Sequence, residues 1–219
     1  MIITTKKDFN EILASLEGKK TIYLFGCNSC AQQCMTGGEA ELKDMTEALR
    51  KQGFDVTGQS LPDETCYLQI VRREFRLNEA IGKADAVLVL ACGAGVTCVA
   101  DAAKETQPVL PALDSLFLAE VEHQGHFAEG CSLCGRCVLT DTAGICPHTE
   151  CPKGLLNGPC GGMANGMCEV NMENECAWIR IYKRLKAQGR LHLMKKASPP
   201  KDFSVSIKPR KVVLPRRKH

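Results

Sequence analysis

Eight cysteines crowd the stretch between residues 131 and 176, with the spacing C-x2-C-x2-C-x8-C-x4-C-x8-C-x7-C-x7-C. Thiols at this density are typical ligands of zinc or of iron–sulfur clusters. The large apolar residues of the stretch are few and follow neither helical nor strand periodicity, so we expect bound metal rather than hydrophobic burial to order it. The eight candidate ligands are Cys131, Cys134, Cys137, Cys146, Cys151, Cys160, Cys168 and Cys176.

Three interpretations of these cysteines compete. A disulfide-stapled secreted domain is disfavoured, because the first residues lack the apolar run of a signal peptide, and thiols in the cytoplasm stay reduced. Structural zinc usually takes paired C-x2-C knuckles, and this spacing recurs only among the first three cysteines. Those three also match the C-x2-C-x2-C triplet of bacterial ferredoxins, in which a distant Cys-Pro completes a site, and Cys146 and Cys151 both precede proline. Two cubanes, or one cubane with zinc, both stay open.

Four sequence blocks in the later half carry a family resemblance. They read CPKG from Cys151, NGPCGG around Cys160, GMCEV around Cys168 and CAW from Cys176. In this order and spacing they resemble the MetV family, the small iron–sulfur and zinc subunit of the MetVF-type methylenetetrahydrofolate reductase. The resemblance covers about residues 131–194 closely, and the cysteine layout of residues 20–105 is similar to the N-terminal half of that family.

The resemblance implies an electron-transfer subunit of one-carbon metabolism in the Wood–Ljungdahl pathway. Such a subunit carries one to three [4Fe-4S] clusters, with two as the preferred number and zinc as a further metal. It passes electrons to FMN or FAD on a MetF-type flavoprotein partner, which reduces methylenetetrahydrofolate to methyltetrahydrofolate. The implied electron donor is a ferredoxin or a heterodisulfide-reductase-like complex.

The residues alone offer no candidate nucleophile, general base or loop for an organic cofactor, so we expect a non-catalytic subunit. An electron carrier fits this pattern best. The alternative is a zinc-stabilised scaffold that docks the catalytic flavoprotein to another electron donor without carrying electrons itself. Iron and sulfide content separates the two.

The first 110 residues alternate helical and strand patterns, which predicts an α/β fold with a small parallel three-layer sheet. Phe9, Ile12 and Leu16 share one helical face behind the capping pair Thr5 and Asp8. The run from Ala86 is continuously apolar, as in a buried parallel strand. The predicted elements are helices over 5–16, 38–52 and about 67–75, and strands over 21–26, 54–57 and 86–91.

Six more cysteines follow these strands. Cys27 ends the first strand, Cys66 lies beyond the second and Cys92 ends the third, so all three should emerge at the carboxyl edge, where open α/β sheets bind ligands. Taken alone, Cys66 would be a small buried hydrophobe. The glycines after Cys92 lack the third glycine and the lysine of a nucleotide-binding loop, which argues against a nucleotide. We expect a separate metal site drawn from Cys27, Cys30, Cys34, Cys66, Cys92 and Cys98.

These patterns divide the chain into three parts. Residues 1–125 form a Rossmann-like α/β domain with a cysteine metal site, residues 126–194 a cysteine-rich iron–sulfur or zinc domain with a terminal helix, and residues 195–219 a basic, proline-containing tail. Residues 116–130 are interpreted as a connecting stretch whose His123 and His126 are solvated and excluded from the site. Trp178, Ile181, Tyr182 and Leu185 form one helical stripe, predicted to be core or a partner contact.

Charge and hydropathy limit the partners. The net charge of +3 is unevenly distributed. The tail from Lys195 carries +8, and residues 1–194 carry −5. With Phe203 as its only aromatic residue, the tail is interpreted as an extended arm on an acidic partner surface rather than a nucleic-acid binder. No apolar run reaches the roughly 18 residues that a membrane helix needs, so we expect a cytoplasmic protein without a membrane partner.

Overall fold

The computed structural model describes residues 1–214. The chain folds into two compact units: the first unit is Met1–Ala128, and the second unit begins at Glu129. No helix within residues 1–214 is both long enough and apolar enough to cross a membrane.

A parallel sheet forms the centre of the first unit. Its strands are β2 (Thr21–Phe25), β3 (Asp55–Ser60), β4 (Ala86–Val89) and β5 (Val109–Pro111), in the spatial order β3-β2-β4-β5. Every residue of β4 is buried, as expected for a central parallel strand covered on both faces. The prediction of a parallel α/β sheet is therefore confirmed, with β5 as a strand that the sequence patterns did not indicate.

Six helices belong to the first unit. α3 runs between Gly38 and Gln52, as its apolar spacing predicts, and the backbone N–H of Gly38 donates to the carboxylate of Glu41 at 2.9 Å. α3 buries Leu42 and Leu49 in the apolar core that covers the sheet. The helices are α1 (Phe9–Ser15), α2 (Cys30–Gln33), α3 (Glu39–Lys51), α4 (Leu68–Leu77), α5 (Glu79–Lys83) and α6 (Gly93–Ala102).

A second sheet corrects two sequence predictions. β1 (Ile2–Lys6) pairs antiparallel with β6 (Leu113–His123), and β7 (His126–Glu129) follows in the order β1-β6-β7. The predicted helix from residue 5 was wrong at its start, because Thr5 pairs with Asp114 in this sheet and α1 begins only after Asp8, whose side chain caps it. The interpretation of residues 116–130 as a connecting stretch was also wrong, since most of it is strand.

The second unit contains little regular structure. Its α-helices are α7 (Pro147–Glu150) and α8 (Ala177–Ala187), followed by 3-10 turns at Leu191–Lys195 and Ser204–Ser206. Three members of the predicted helical stripe are core residues, while Tyr182 is 41% exposed. The small core consists of Ala143, Ile145, Cys176, Trp178, Ile181 and Leu185.

Candidate metal centres

Four of the eight clustered cysteines line one cavity in the second unit. The cavity has a volume of about 530 Å³, and His148 and Arg210 also line it. We call these four the first cysteine group. Three of them form the ferredoxin-like triplet and the fourth comes from the first of the two Cys-Pro pairs, so the fold joins a sequence motif to a cysteine further along the chain. The first cysteine group is Cys131, Cys134, Cys137 and Cys146.

The backbone around the first cysteine group is turned so that an amide faces a sulfur. Leu133 and Gly135 have φ values of 55° and 83°, which fold the loop back on itself. The backbone N–H of Leu133 donates to Sγ of Cys131 at 3.3 Å. Such donors stabilise negative charge on a thiolate sulfur.

Part of the basic tail packs on this loop. Nζ of Lys201 donates to the carbonyl of Arg136 at 3.3 Å, and Oγ of Ser206 donates to the carbonyl of Cys134 at 3.4 Å. A Cβ at Gly135 would lie 2.4 Å from Cγ2 of Val205, so only glycine leaves room for the tail here. Sequence reasoning missed these contacts, because nothing in the tail's composition indicates which loop it covers.

Lys201 also changes the electrostatics of the first cysteine group. Burial by itself raises the pKa of the Cys134 thiol, but hydrogen bonds from Lys201 and Ser132 outweigh it and bring that pKa below its ordinary value. The pKa of His148 is lowered by burial and by the positive charge of Lys201, which lies 3.1 Å from its Nε2. Lys201 and Ser132 therefore favour the thiolate form of Cys134, the form that binds a metal.

The other four clustered cysteines line a second, smaller cavity of about 20 Å³. We call them the second cysteine group. One of its members, Cys176, is the N-cap of α8 and belongs to the apolar core of this unit. Beside it, Nε1 of Trp178 donates to the carbonyl of Leu155 at 3.0 Å and fixes the loop against the helix. The second cysteine group is Cys151, Cys160, Cys168 and Cys176.

Cys160 shows how the loops of the second group hold a sulfur. Its Sγ donates to Oε1 of Glu169 at 3.1 Å and accepts from the backbone N–H of Gly162 at 3.5 Å. Glu169 is paired with Lys153, and this hydrogen bond lowers the pKa of the Glu169 carboxyl. The N–H two residues after a cysteine thus faces its sulfur in both cysteine groups.

In the first unit, four of the six predicted ligands lie close together at the carboxyl edge of the parallel sheet. Cys27 follows β2 and Cys92 follows β4, while Cys30 begins α2. Burial raises the pKa of the Cys66 thiol, and negative charge on Cys92, Cys27 and Cys30 raises it further, as expected for neighbouring sulfurs. We call Cys27, Cys30, Cys66 and Cys92 the sheet-edge group.

Of the two remaining candidates, Cys34 faces β1, whereas Cys98 lies beside the group, where burial, Asp101 and negative charge on Cys92 raise the pKa of its thiol. Sγ of Cys34 is 3.8 Å from the carbonyl of Ile2 in β1, and Sγ of Cys98 donates to the carbonyl of Cys66 at 3.2 Å. His123 and His126 are exposed, with ring centroids 3.8 Å apart across the β6–β7 turn.

The three cysteine groups are neighbouring thiols rather than preformed coordination spheres. Over residues 1–214, no three His, Cys, Asp or Glu side chains are already spaced as the ligands of a metal ion. Some of the thiols instead point at local hydrogen-bond acceptors, such as Glu169 for Cys160. The donor set nevertheless fits a thiophilic metal, since four thiols line each of these two cavities.

The fold and these groups define a cysteine-rich α/β protein whose thiols gather in fours. Residues 110–204 match the family model described as methylene-tetrahydrofolate reductase C terminal. The match covers less than half of the chain, but it includes all eight cysteines of the second unit. It links the chain to methylenetetrahydrofolate reductase. No curated protein and no solved structure matches the chain.

Proposed function

We propose that this chain is the electron-transfer small subunit of a methylenetetrahydrofolate reductase, of the MetV type. In this role it receives electrons from a ferredoxin or a heterodisulfide-reductase-like complex and passes them to the flavin of a MetF-type catalytic subunit. The observation that carries the proposal is the division of eight cysteines into two groups of four, each lining its own cavity. Four thiolates are the number that an iron–sulfur cubane requires.

The first cysteine group is the proposed cubane site. Its spacing begins with the ferredoxin triplet, and its cavity of about 530 Å³ is large enough for a cluster of several atoms. A [4Fe-4S] cluster bound there would supply one-electron transfer. The chain contributes the thiolates, the N–H of Leu133 aimed at Cys131, and the positive charge of Lys201 beside Cys134. The amide and the lysine both stabilise added negative charge and therefore favour reduction.

The second cysteine group is proposed to hold a single Zn²⁺ ion. Its cavity of about 20 Å³ is close to the roughly 10–15 Å³ that one water molecule needs, which suits one ion better than a cubane. Zinc takes four thiolates at about 2.3 Å in a tetrahedral arrangement and is redox-inert. This site would fix α8, which begins directly after Cys176, to the loops before it.

The flavin and the folate are assigned to the partner subunit. The family match from residue 110 to residue 204 supports association with a methylenetetrahydrofolate reductase. The two cysteine groups supply thiolates rather than a folate or flavin pocket, so the chain alone is expected to be catalytically silent. Electron delivery to the partner's flavin is then the contribution of this subunit.

Metal analysis of the anaerobically purified full chain tests the proposal. The first cysteine group should contribute about four iron and four sulfide per chain, and the second should contribute about one zinc. Cys134→Ser should remove most of the iron and sulfide and abolish flavin reduction in a mixture with the catalytic flavoprotein and reduced ferredoxin. Cys34→Ser is the matched control and should do neither.

The alternative function, a zinc-stabilised docking scaffold, makes the opposite prediction. A scaffold would contain zinc without iron or sulfide, and Cys134→Ser would then weaken binding of the flavoprotein without a prior loss of iron. That result would overturn the electron-transfer role and leave the association intact.

A further inference from the structure

We propose that the tail orients the loop of the first cysteine group: Lys201, Ser206 and Arg210 are positioning residues that turn backbone N–H groups of this loop toward the sulfurs. The inference rests on the proposed function, in which the first cysteine group holds a [4Fe-4S] cluster. It gives Lys201 a second role besides its charge, and it adds Ser206 and Arg210 to the residues that set the reduction potential.

The tail donates to three of the four backbone carbonyls between residues 133 and 136. This part of the loop contains neither helix nor strand, so regular secondary structure does not satisfy these acceptors. Donors from one short segment of the tail therefore fix the orientation of three peptide planes. The hydrogen bonds run from Nη1 of Arg210 to the carbonyl of Leu133 (3.3 Å), from Oγ of Ser206 to that of Cys134 (3.4 Å), and from Nζ of Lys201 to that of Arg136 (3.3 Å).

Each carbonyl that the tail binds directs the next amide the other way. The peptide bonds of the loop are trans, and in a trans peptide the C=O and the following N–H point in opposite directions. The N–H groups of Cys134, Gly135 and Cys137 are therefore turned away from the tail. Within residues 1–214 none of these three donates to a backbone carbonyl, which leaves them for sulfur acceptors. The N–H of Leu133 already donates to Sγ of Cys131.

Lys201 also joins the two chain segments that supply the first cysteine group. Besides its bond to the carbonyl of Arg136 in the triplet loop, its Nζ lies 3.1 Å from Nε2 of His148. His148 belongs to α7, which begins directly after Cys146. One side chain therefore holds the segment of the fourth thiol beside the triplet.

The tail reaches the loop from a fixed point. Nδ2 of Asn157 donates to the carbonyl of Ser198 at 3.0 Å, and the N–H of Ser198 donates to Oδ1 of Asn157 at 2.6 Å. Residues 199 and 200 are both prolines, which restrict the backbone that follows this anchor. The tail then lies in direct contact with the loop, since a Cβ at Gly135 would lie 2.4 Å from Cγ2 of Val205.

Ser206→Ala tests the orienting role without a change of charge. It removes the donor to the carbonyl of Cys134 and leaves every cysteine in place. Ser206→Thr keeps the hydroxyl and should behave as wild type. Ser198→Ala is the matched control, because it removes another serine hydroxyl of the tail while the contacts of Ser198 with Asn157 run through its backbone.

The reduction potential of the cluster is the first readout, from a redox titration of the full chain followed by electron paramagnetic resonance. In Ser206→Ala the equilibrium constant for one-electron reduction should fall severalfold, because oriented N–H donors stabilise the reduced state. Lys201→Met loses a carbonyl donor and a positive charge, and the constant should fall about tenfold, a shift of about 59 mV to lower potential. Wild-type potentials in both variants would overturn the inference. So would an equal shift in Ser198→Ala.

Exchangeable deuterons near the reduced cluster provide the second readout. After transfer into deuterated water, pulsed electron paramagnetic resonance should detect amide deuterons coupled to the cluster. Their couplings should change in Ser206→Ala and stay unchanged in Ser206→Thr and Ser198→Ala. Unchanged couplings in Ser206→Ala would contradict the orienting role.

Iron and sulfide content separates this inference from the proposed function. A wild-type chain without iron and sulfide would overturn the proposed function and this inference with it. A wild-type cluster whose potential is the same in every tail variant overturns this inference alone. Loss of the cluster from Ser206→Ala would also overturn it, because a residue that only orients amides leaves the four thiolates able to bind.

Discussion

The two units of this protein place cysteines on very different supports. In the first unit, the sheet-edge group stands at the rim of a parallel sheet whose strands and helices share one apolar core, including fully buried Phe25, Leu49 and Leu88. In the second unit, the cysteines sit on long loops, and the apolar core is a small cluster around α8. The first unit has a large apolar core of its own, whereas the second unit buries little apolar area, so we expect folding of the second unit to depend on bound metal.

The backbone shows the same contrast. Three non-glycine residues of the second unit, Leu133, Ala143 and Asn165, adopt left-handed φ values between 51° and 55°. In the first unit, Met35 is the corresponding case. Each such residue costs on the order of 1 kcal/mol or more, so the second unit needs another source of stability. Thiolate–metal bonds are the proposed source.

Removal of bound metal should produce the largest difference between the two units. Structural zinc contributes on the order of 10 kcal/mol to the folding of small thiolate domains, which exceeds what the small core around α8 supplies. After iron removal and chelation, residues 131–176 should therefore become protease-sensitive while Met1–Ala128 remains a resistant fragment. Limited proteolysis with mass spectrometry measures this. Protease resistance throughout residues 131–176 in the metal-free protein would contradict it.

Substitution of an apolar core residue should instead destabilise the first unit. Leu49→Ala should lower the free energy of unfolding of this unit by about 2–5 kcal/mol, because Leu49 is fully buried in α3. Denaturant unfolding monitored by circular dichroism provides the measurement. Leu77→Ala, at a side chain that is 70% exposed, is the control and should stay within about 0.5 kcal/mol of wild type. Loss of iron from the second unit in Leu49→Ala would show that the units do not fold separately.

A smaller effect should come from the helix that closes the second cysteine group. Trp178→Phe removes the donor to the Leu155 carbonyl and should destabilise the second unit by about 1–2 kcal/mol. Zinc transfer to a chromogenic chelator should become severalfold faster. Tyr182→Phe, on the exposed side of the same helix, should leave the rate unchanged. Equal zinc-transfer rates for the two variants would show that Trp178 does not stabilise this site.

How much of the fold the sequence predicts depends on the range of the contacts involved. β2, β4 and α3 follow from local periodicity, and their bounds agree within one or two residues. β1 does not, because its pairing partner β6 lies more than 100 residues away and Thr5 also fits a helix cap. The alternation of Ala119 and Val121 with Glu120 and Glu122 was a strand signal that the sequence interpretation overlooked.

The sequence likewise predicts only part of each candidate site. Spacing identifies the ferredoxin-like triplet, but it cannot assign Cys146 to one cavity and Cys151 to the next, because only the folded loops separate them. Spacing also groups Cys34 with Cys30, whereas the structure turns it toward β1. Cys66 reaches the sheet edge through the Thr65 hydroxyl, a contact with no sequence signature.

The smallest expected effect concerns the basic tail, whose charge should contribute to partner affinity. Residues 201–210 pack on the loop of the first cysteine group, whereas residues 211–219 include four further Lys or Arg residues. Removing residues 211–219 should weaken assembly with the catalytic flavoprotein severalfold at low salt and less at high salt, because salt screens exposed charges. Affinity titrations at two ionic strengths measure this. Equal binding by both chains at low salt would contradict an acidic partner surface.

Electron paramagnetic resonance of the reduced full chain tests the central claim most directly. The protein, purified anaerobically and reduced with dithionite in the absence of any flavoprotein, should show the signal of a reduced [4Fe-4S] cluster. Cys137→Ser should lose the signal of the first cysteine group, and Cys34→Ser should keep it. A reduced chain with no cluster signal, containing zinc as its metal, would contradict the account and leave this protein a scaffold rather than an electron carrier.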